Sequence, residues 1–179
     1  AVAKNWREIT KRYAYAKTHI GRPGSRFPEP YLDNWADDKM GCRLKLKARS
    51  GQLLLNARQA DRGKAGGCAA RCLCCDESSP ETLQHFLIQC PAFNEEREAM
   101  VGRVHEALDA LSRKDPIRVS MSVADFDCSG PAEKVQVLLG SSQTGYPVID
   151  TRVDRACRKY LKRCWVNRET AQLNIVALS

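Results

Sequence analysis

Between residues 72 and 90 the chain reads CLCCDESSPETLQHFLIQC, which sets Cys72-x2-Cys75-x9-His85-x4-Cys90 within one short stretch. Few features constrain a fold more, because one ion that gathers three thiols and an imidazole forces the chain back on itself. Zn²⁺ favours four tetrahedral nitrogen and sulfur ligands, and a Cys-x2-Cys turn supplies half of such a set at once. The spacing selects Cys72 and Cys75 as the first pair, because two intervening residues permit a tight knuckle whose backbone N–H groups bond the first sulfur. His85 and Cys90 form the second pair, from the two ends of one helical turn. Ser79-Pro80-Glu81 starts that helix: a serine N-cap, a proline at the first helical position and a carboxylate in the first turn. The helix runs to about Gln89 and stops before Pro91. Cys68 and Cys74 stand close enough to replace a member of the first pair, through Cys68-x3-Cys72 or Cys72-x-Cys74. Four protein ligands leave no open coordination position, so the expected cofactor is one structural Zn²⁺.

The other cysteines argue for the same chemistry. There are nine in 179 residues, an odd number, and four crowd between positions 68 and 75. A disulfide framework needs an oxidising compartment and normally an even count. A reducing compartment with metal ligation fits better. Cys42, Cys128, Cys157 and Cys164 read as small apolar residues on helices. The chain begins at Ala1, as a processed protein or a piece of a longer one would.

Helical periodicity dominates the remainder. Trp6, Ile9, Tyr13, Ala16 and Ile20 keep spacings of three and four, with Lys4, Arg7, Lys11, Arg12 and Lys17 on the other faces. The proline-rich stretch 21–30 reads as an extended linker. Residues 31–62 read as one or two helices broken at Ser50-Gly51, and Gly63, Gly66 and Gly67 form a flexible approach to the cysteines. A further helix starts at Asn94 and carries Met100, Val101, Val104, Leu108 and Leu111 on one face, with His105 among them in a structural role. Residues 118–123 alternate like a short strand. Pro131 to Leu139 is a short helix closed by Gly140. A long helix capped by Asp150 carries Val153, Cys157, Tyr160, Leu161, Cys164 and Trp165 along one side. The expected fold is mostly α, a helical protein with a small CCHC zinc knuckle and irregular linkers. Its expected divisions are 1–30, a basic helix and linker; 31–112, the helical knuckle domain; and 113–179, a C-terminal segment with the long basic helix.

Charge supplies the functional expectation. The formal net charge is +8 and the pI is about 9.1, a balance suited to a polyanion. Arg152, Arg155, Arg158, Lys159, Lys162, Arg163 and Arg168 stand against Asp154 on the long helix, where a solvated face normally mixes signs. Lys45, Lys47, Arg49 and Arg58 make the segment before the cysteines basic as well. These residues, Arg168 apart, are the expected phosphate contacts. Trp6, Tyr13, Tyr160 and Trp165 would either stack on unpaired bases or pack in the core, and core packing is the expectation for those on apolar stripes. No run of 18 apolar residues predicts a transmembrane helix.

KLKARSGQLLLNARQADRGK followed by CLCCDESSPETLQHFLIQCPAFNEER resembles the C-terminal zinc-knuckle region of non-LTR retrotransposon reverse transcriptases. Arg49, Ser50, Gly51, Leu53 and Asn56 match the lead-in of that family. Cys72, Cys75, His85 and Cys90 match its ligands, and Cys-Pro-Ala-Phe at 90–93 matches the continuation. The likeness covers about residues 35–110. Neither a Tyr/Phe-x-Asp-Asp polymerase signature nor a Pro-Asp…Asp/Glu-x-Lys endonuclease arrangement occurs. The resemblance therefore implies nucleic-acid binding without catalysis.

The expected function is non-enzymatic RNA binding by a zinc protein derived from a retroelement, as a structural component of a large ribonucleoprotein such as an organellar ribosome. Its partners would be RNA, ribosomal RNA first, and neighbouring proteins of the particle, with no membrane and no small-molecule substrate. The mitochondrial matrix is the favoured location, ahead of nucleus or cytoplasm. Two alternatives remain: the nucleic-acid-binding end of an active reverse transcriptase, and a zinc-stapled protein-interaction module.

Overall fold

The computed structural model describes residues 38–61, 70–75, 77–114, 121–140 and 146–178. The expected helix at 4–20, the linker at 21–30, Gly63, Gly66, Gly67, Cys68 and the first half of the expected strand at 118–123 lie outside the described residues. The described chain is mostly helical and forms no strand, with an isolated antiparallel bridge between Arg71 and Pro80.

Six α-helices follow in order: α1 Lys39–Arg49, α2 Asn56–Asp61, α3 Asn94–Lys114, α4 Val123–Cys128, α5 Pro131–Leu139 and α6 Pro147–Leu178. A π-turn, His85–Gln89, and a 3₁₀ turn, Pro91–Phe93, lie between α2 and α3. Local chemistry sets most boundaries. Asp38 caps α1 by accepting from the Gly41 N–H at 3.1 Å. The helix ends at Ser50, and Gly51 takes the left-handed φ of 62° that ends the turn cheaply. Ser122 and Asp125 form a reciprocal capping box on α4, so Ser122 and Val123 belong to a helix start, not to a strand. Pro131 opens α5, and Gly140 closes it at φ 82°. The long helix begins at Pro147, which puts Asp150 in its first turn and not at the cap.

The long helix α6 is the spine. Ile149, Val153, Ala156, Cys157, Tyr160, Leu161 and Cys164 are buried along it. Against it pack α3, through Met100, Val104, Ala107, Leu108 and Leu111, and α1, through Leu44 and Ala48. Gly41 permits the close approach of α1: a Cβ there would meet the Asp38 carboxylate and lie 3.1 Å from Arg158 Cβ. On α5, Val135, Val137, Leu138 and Leu139 are buried where that helix meets α6 and the π-turn. One hydrophobic cluster runs from Leu44 to Cys164. The boundary expected near residue 112 therefore does not separate two packing units.

Candidate metal centre and basic surface

Three hydrogen bonds, two of them between backbone groups, build the base of the cysteine turn. Cys72 N–H donates to Ser79 O at 3.0 Å, Glu81 N–H donates to Ala70 O at 2.7 Å, and the Asn56 side-chain amide donates to Arg71 O at 2.8 Å. Residues 70–72 thus run antiparallel to 79–81, and the loop between them presents Cys72 and Cys75. This pairing corrects the expected helix start. Pro80 lies in the bridge, and Thr82 takes over the capping role by accepting from His85 N–H at 3.0 Å. A single helical turn then widens into the π-turn, in which Cys90 N–H closes on His85 O at 2.7 Å.

That widening decides the geometry. Five residues along an α-helix turn about 500°, which would leave the two side chains about 140° apart. A hydrogen bond from residue 90 to residue 85 instead stacks the fourth ligand over the third. Ligand atoms of Cys72, Cys75, His85 and Cys90 all lie within 4.8 Å of one another, close enough to hold a metal ion. Cys72 Sγ stands 3.7 Å from Cys90 Sγ, and Cys75 Sγ stands 3.4 Å from His85 Nε2. Cys72, His85 and Cys90 are buried, and Cys75 is half-buried.

The thiols share charge unevenly. Hydrogen bonds from Cys74 and then Cys90 hold the Cys72 thiol far below its usual pKa. The same contact with Cys72, followed by burial, pushes Cys90 far up, and burial leads the rise at Cys75. Three thiols at this spacing do not ionise together without a cation among them, and a divalent ion held with the neutral His85 imidazole supplies that charge. Cys74 forms a second close group with Cys72 and Glu81. Its acidic member is already engaged: Glu81 takes Arg168 Nε at 2.6 Å, Arg168 Nη2 at 2.8 Å and Asn56 N–H at 2.8 Å.

The expected phosphate contacts divide into two sets. Lys47, Arg152, Arg155, Lys159, Lys162 and Arg163 are exposed. The five on α6 fall within an arc of about 100° and span about 17 Å of helix. Arg103 of α3 joins Lys159, Lys162 and Arg163 in an open groove of ≈ 800 Å³, with Glu95 and Glu96 also on its α3 side. The other set points inward and corrects the sequence reading. Lys45 is buried with Nζ 2.7 Å from Asp154, and Arg158 is buried with Nε 2.7 Å from the same carboxylate and Nη1 3.3 Å from Asp38. Arg49 is 1% exposed, and Arg168 joins Glu81 in the core. Buried cations paired in this way hold helices together and do not reach a phosphate. Arg58 lies on α2, and its side chain is outside the described residues.

Of the four aromatic residues considered for stacking, Trp6 and Tyr13 lie outside the described residues. Tyr160 is buried, and its hydroxyl donates to Phe86 O at 2.6 Å. Trp165 packs edge-on to Phe86, donates to Glu169 at 2.6 Å and carries the Arg168 guanidinium 4.9 Å from its ring centre. Cys42, Cys157 and Cys164 are buried helix residues as expected, whereas Cys128 is exposed. The lead-in residues Arg49, Ser50, Leu53 and Asn56 are all buried, and Asn56 bonds the base of the turn through Arg71 and Glu81. Sequence reading missed Thr82, Glu81 and Arg168 as supports of the centre. The one available signal was that Asp154, Arg158, Leu161, Trp165 and Arg168 recur at helical spacing on a single face.

Comparison with known proteins finds no matching family model, no matching curated protein and no matching solved structure. Among the described residues no helix is long and apolar enough to cross a membrane.

Proposed function

We propose that this chain is a non-catalytic RNA-binding module in which one Zn²⁺ in a CCHC knuckle staples a basic helix into place. The observation that carries the proposal is the convergence of Cys72, Cys75, His85 and Cys90 on one point. Zn–S bonds of about 2.3 Å and Zn–N bonds of about 2.05 Å at tetrahedral angles imply edges of about 3.8 Å for S···S and 3.6 Å for S···N. The 3.7 Å and 3.4 Å separations across the site fit such an ion. Zinc so held supplies folding energy and fixes the turn, and its filled coordination sphere offers no position for a reacting water.

The knuckle in turn is tied to the basic helix. Glu81 and Arg168 join its base to α6, and Tyr160 of α6 reaches the carbonyl of Phe86 inside the ligand turn. With Asp154, Arg158 and Arg168 turned inward, Arg152, Arg155, Lys159, Lys162 and Arg163 are left on the outer face for phosphates. The reading agrees with the resemblance of residues 35–110 to the knuckle region of non-LTR retrotransposon reverse transcriptases, which we propose as the chain's origin.

The test is metal content followed by RNA binding. Protein prepared without chelators should carry one zinc per chain by elemental analysis. It should shift the anisotropy of a labelled single-stranded RNA with a slope of log K against log salt of about −0.7 for each phosphate neutralised. A chain that folds without metal, or binds RNA without salt dependence, overturns the proposal.

A further inference from the structure

The π-turn leaves one buried carbonyl without its helical donor. In an α-helix the Cys90 N–H would close on Phe86 O, four residues back. Here it closes on His85 O at 2.7 Å, and Phe86 is fully buried. An unpaired carbonyl in that position would be costly, and the chain would recover the loss by returning to α-geometry. The Tyr160 hydroxyl prevents this by donating to Phe86 O at 2.6 Å from across the core.

We infer that Tyr160 is a positioning residue for the metal centre: its hydroxyl occupies the Phe86 carbonyl and so holds the wide turn that aims His85 and Cys90 at one ion. The inference rests on the metal reading above and extends it to a residue 70 positions beyond the last ligand. Burial drives the Tyr160 pKa up, which keeps the phenol protonated and able to donate. The ring itself packs edge-on against Phe86 with centroids 6.3 Å apart, a contact that does not need the oxygen. Ring and hydroxyl therefore have separable roles. Without the hydroxyl the Cys90 N–H is drawn back to Phe86 O, and His85 and Cys90 diverge toward the angle of about 140° that α-geometry imposes. Partners that orient a ligand in this way typically govern metal affinity by about 10–100-fold. π-turns of one turn's length recur at functional sites, in keeping with a ligand-aiming role here.

The experiment compares the full wild-type chain with Tyr160→Phe, which removes one oxygen and keeps the ring. Zinc affinity is read by competition with a chromophoric chelator, and ligand geometry by the visible spectrum of the Co²⁺-loaded protein. Tyr160→Phe should bind zinc about 10–100-fold more weakly and lose intensity in the tetrahedral Co²⁺ bands. Ile149→Val, which trims the same helix far from the turn, should leave both unchanged. Equal zinc affinity and an equal Co²⁺ spectrum in Tyr160→Phe overturn the inference. So does an equal loss in Ile149→Val, which would mark the effect as general destabilisation. If Tyr160→Phe does not fold, through-hydrogen-bond NMR coupling in the wild-type chain decides the matter. Coupling of the Cys90 amide to the His85 carbonyl carbon supports the inference, and coupling to that of Phe86 overturns it. A wild-type chain that takes no zinc sinks the metal reading itself, whereas the coupling measurement still reports on the turn.

Discussion

Removing Arg168 should cost more stability than any exposed cation on the same helix. Its guanidinium meets Glu81 through two contacts, Nε to Oε1 at 2.6 Å and Nη2 to Oε2 at 2.8 Å, with both side chains at most 2% exposed. Nη2 also donates to Leu54 O and Asn56 Oδ1, each at 3.2 Å. In Arg168→Met the Glu81 carboxylate stays buried with the Asn56 backbone N–H as its remaining donor from this set. Breaking a buried pair from one side costs about 3–5 kcal/mol, because the surviving charge is left without its counter-ion. The double replacement Arg168→Met with Glu81→Met removes both charges and leaves chiefly the Asn56 N–H without its acceptor, a cost of about 1–3 kcal/mol. The double variant should therefore be more stable than Arg168→Met alone, with a coupling of about 2 kcal/mol or more in the double-mutant cycle. Against a total stability of about 5–15 kcal/mol, such a single-mutant loss is easily resolved. Urea unfolding followed by circular dichroism, with zinc in fixed excess, measures all four corners of the cycle. A single-mutant cost below about 1 kcal/mol, or a coupling near zero, refutes the view that this pair clamps the knuckle to the long helix.

Four further outcomes are expected. Cys75→Ser should abolish stoichiometric zinc binding while Cys74→Ser keeps it, read by elemental analysis, because Cys75 and not Cys74 faces His85 Nε2. Lys45→Met should lower stability by about 3 kcal/mol by stripping a buried partner from Asp154, whereas Arg155→Gln with Lys159→Gln should leave the unfolding midpoint in place and flatten the salt dependence of RNA binding. Burial raises Cys157 to about 11 and Cys164 to about 12, while an unfolded thiol ionises near about 8.5. Between those values the unfolded chain holds fewer protons than the folded one, so stability is full below about pH 8.5 and falls as pH rises toward 11. Cys157→Ala should make that alkaline decline shallower in urea titrations. The same burial should shield Cys42, Cys157 and Cys164 from iodoacetamide in the native protein while exposed Cys128 reacts, as peptide mass spectrometry would show.

Features whose cause is local were legible in the sequence. Pro131 and Gly140 bracket α5, and Ser50-Gly51 ends α1, each through a preference that needs no distant partner. The four candidate ligands were legible for a related reason, since spacing along one short segment limits where side chains can meet. Ser79-Pro80 misled because its competing role depends on Ala70 and Cys72 lying alongside, and pairing across a loop leaves no periodic trace. Arg158 and Arg168 misled in a different way. A cation on a helix reads as outward by default, and here Asp38, Asp154 and Glu81 reverse that direction. In the sequence the Asp154–Arg158 spacing of four was visible, but its orientation toward the core is set by α1, a partner more than 100 residues away. The π-turn was not legible at all, because its hydrogen-bond shift depends on a tyrosine from another helix.

Withdrawal of Asp154 from the surface gives the molecule a direction as well as a charge. Glu95, Glu98, Glu106 and Asp109 are exposed on α3, interrupted by Arg103 and Arg113, while the outer face of α6 presents its cations together. Among the described residues, opposite signs are gathered on neighbouring helices, and under the proposed function that dipole would turn the protein in the field of an approaching polyanion before any contact forms. Such orientation acts on the rate of encounter more than on the lifetime of the complex, and it fades as ions shorten the reach of the field. A carboxylate buried away from the proposed partner would thus help decide which way the protein faces when it arrives.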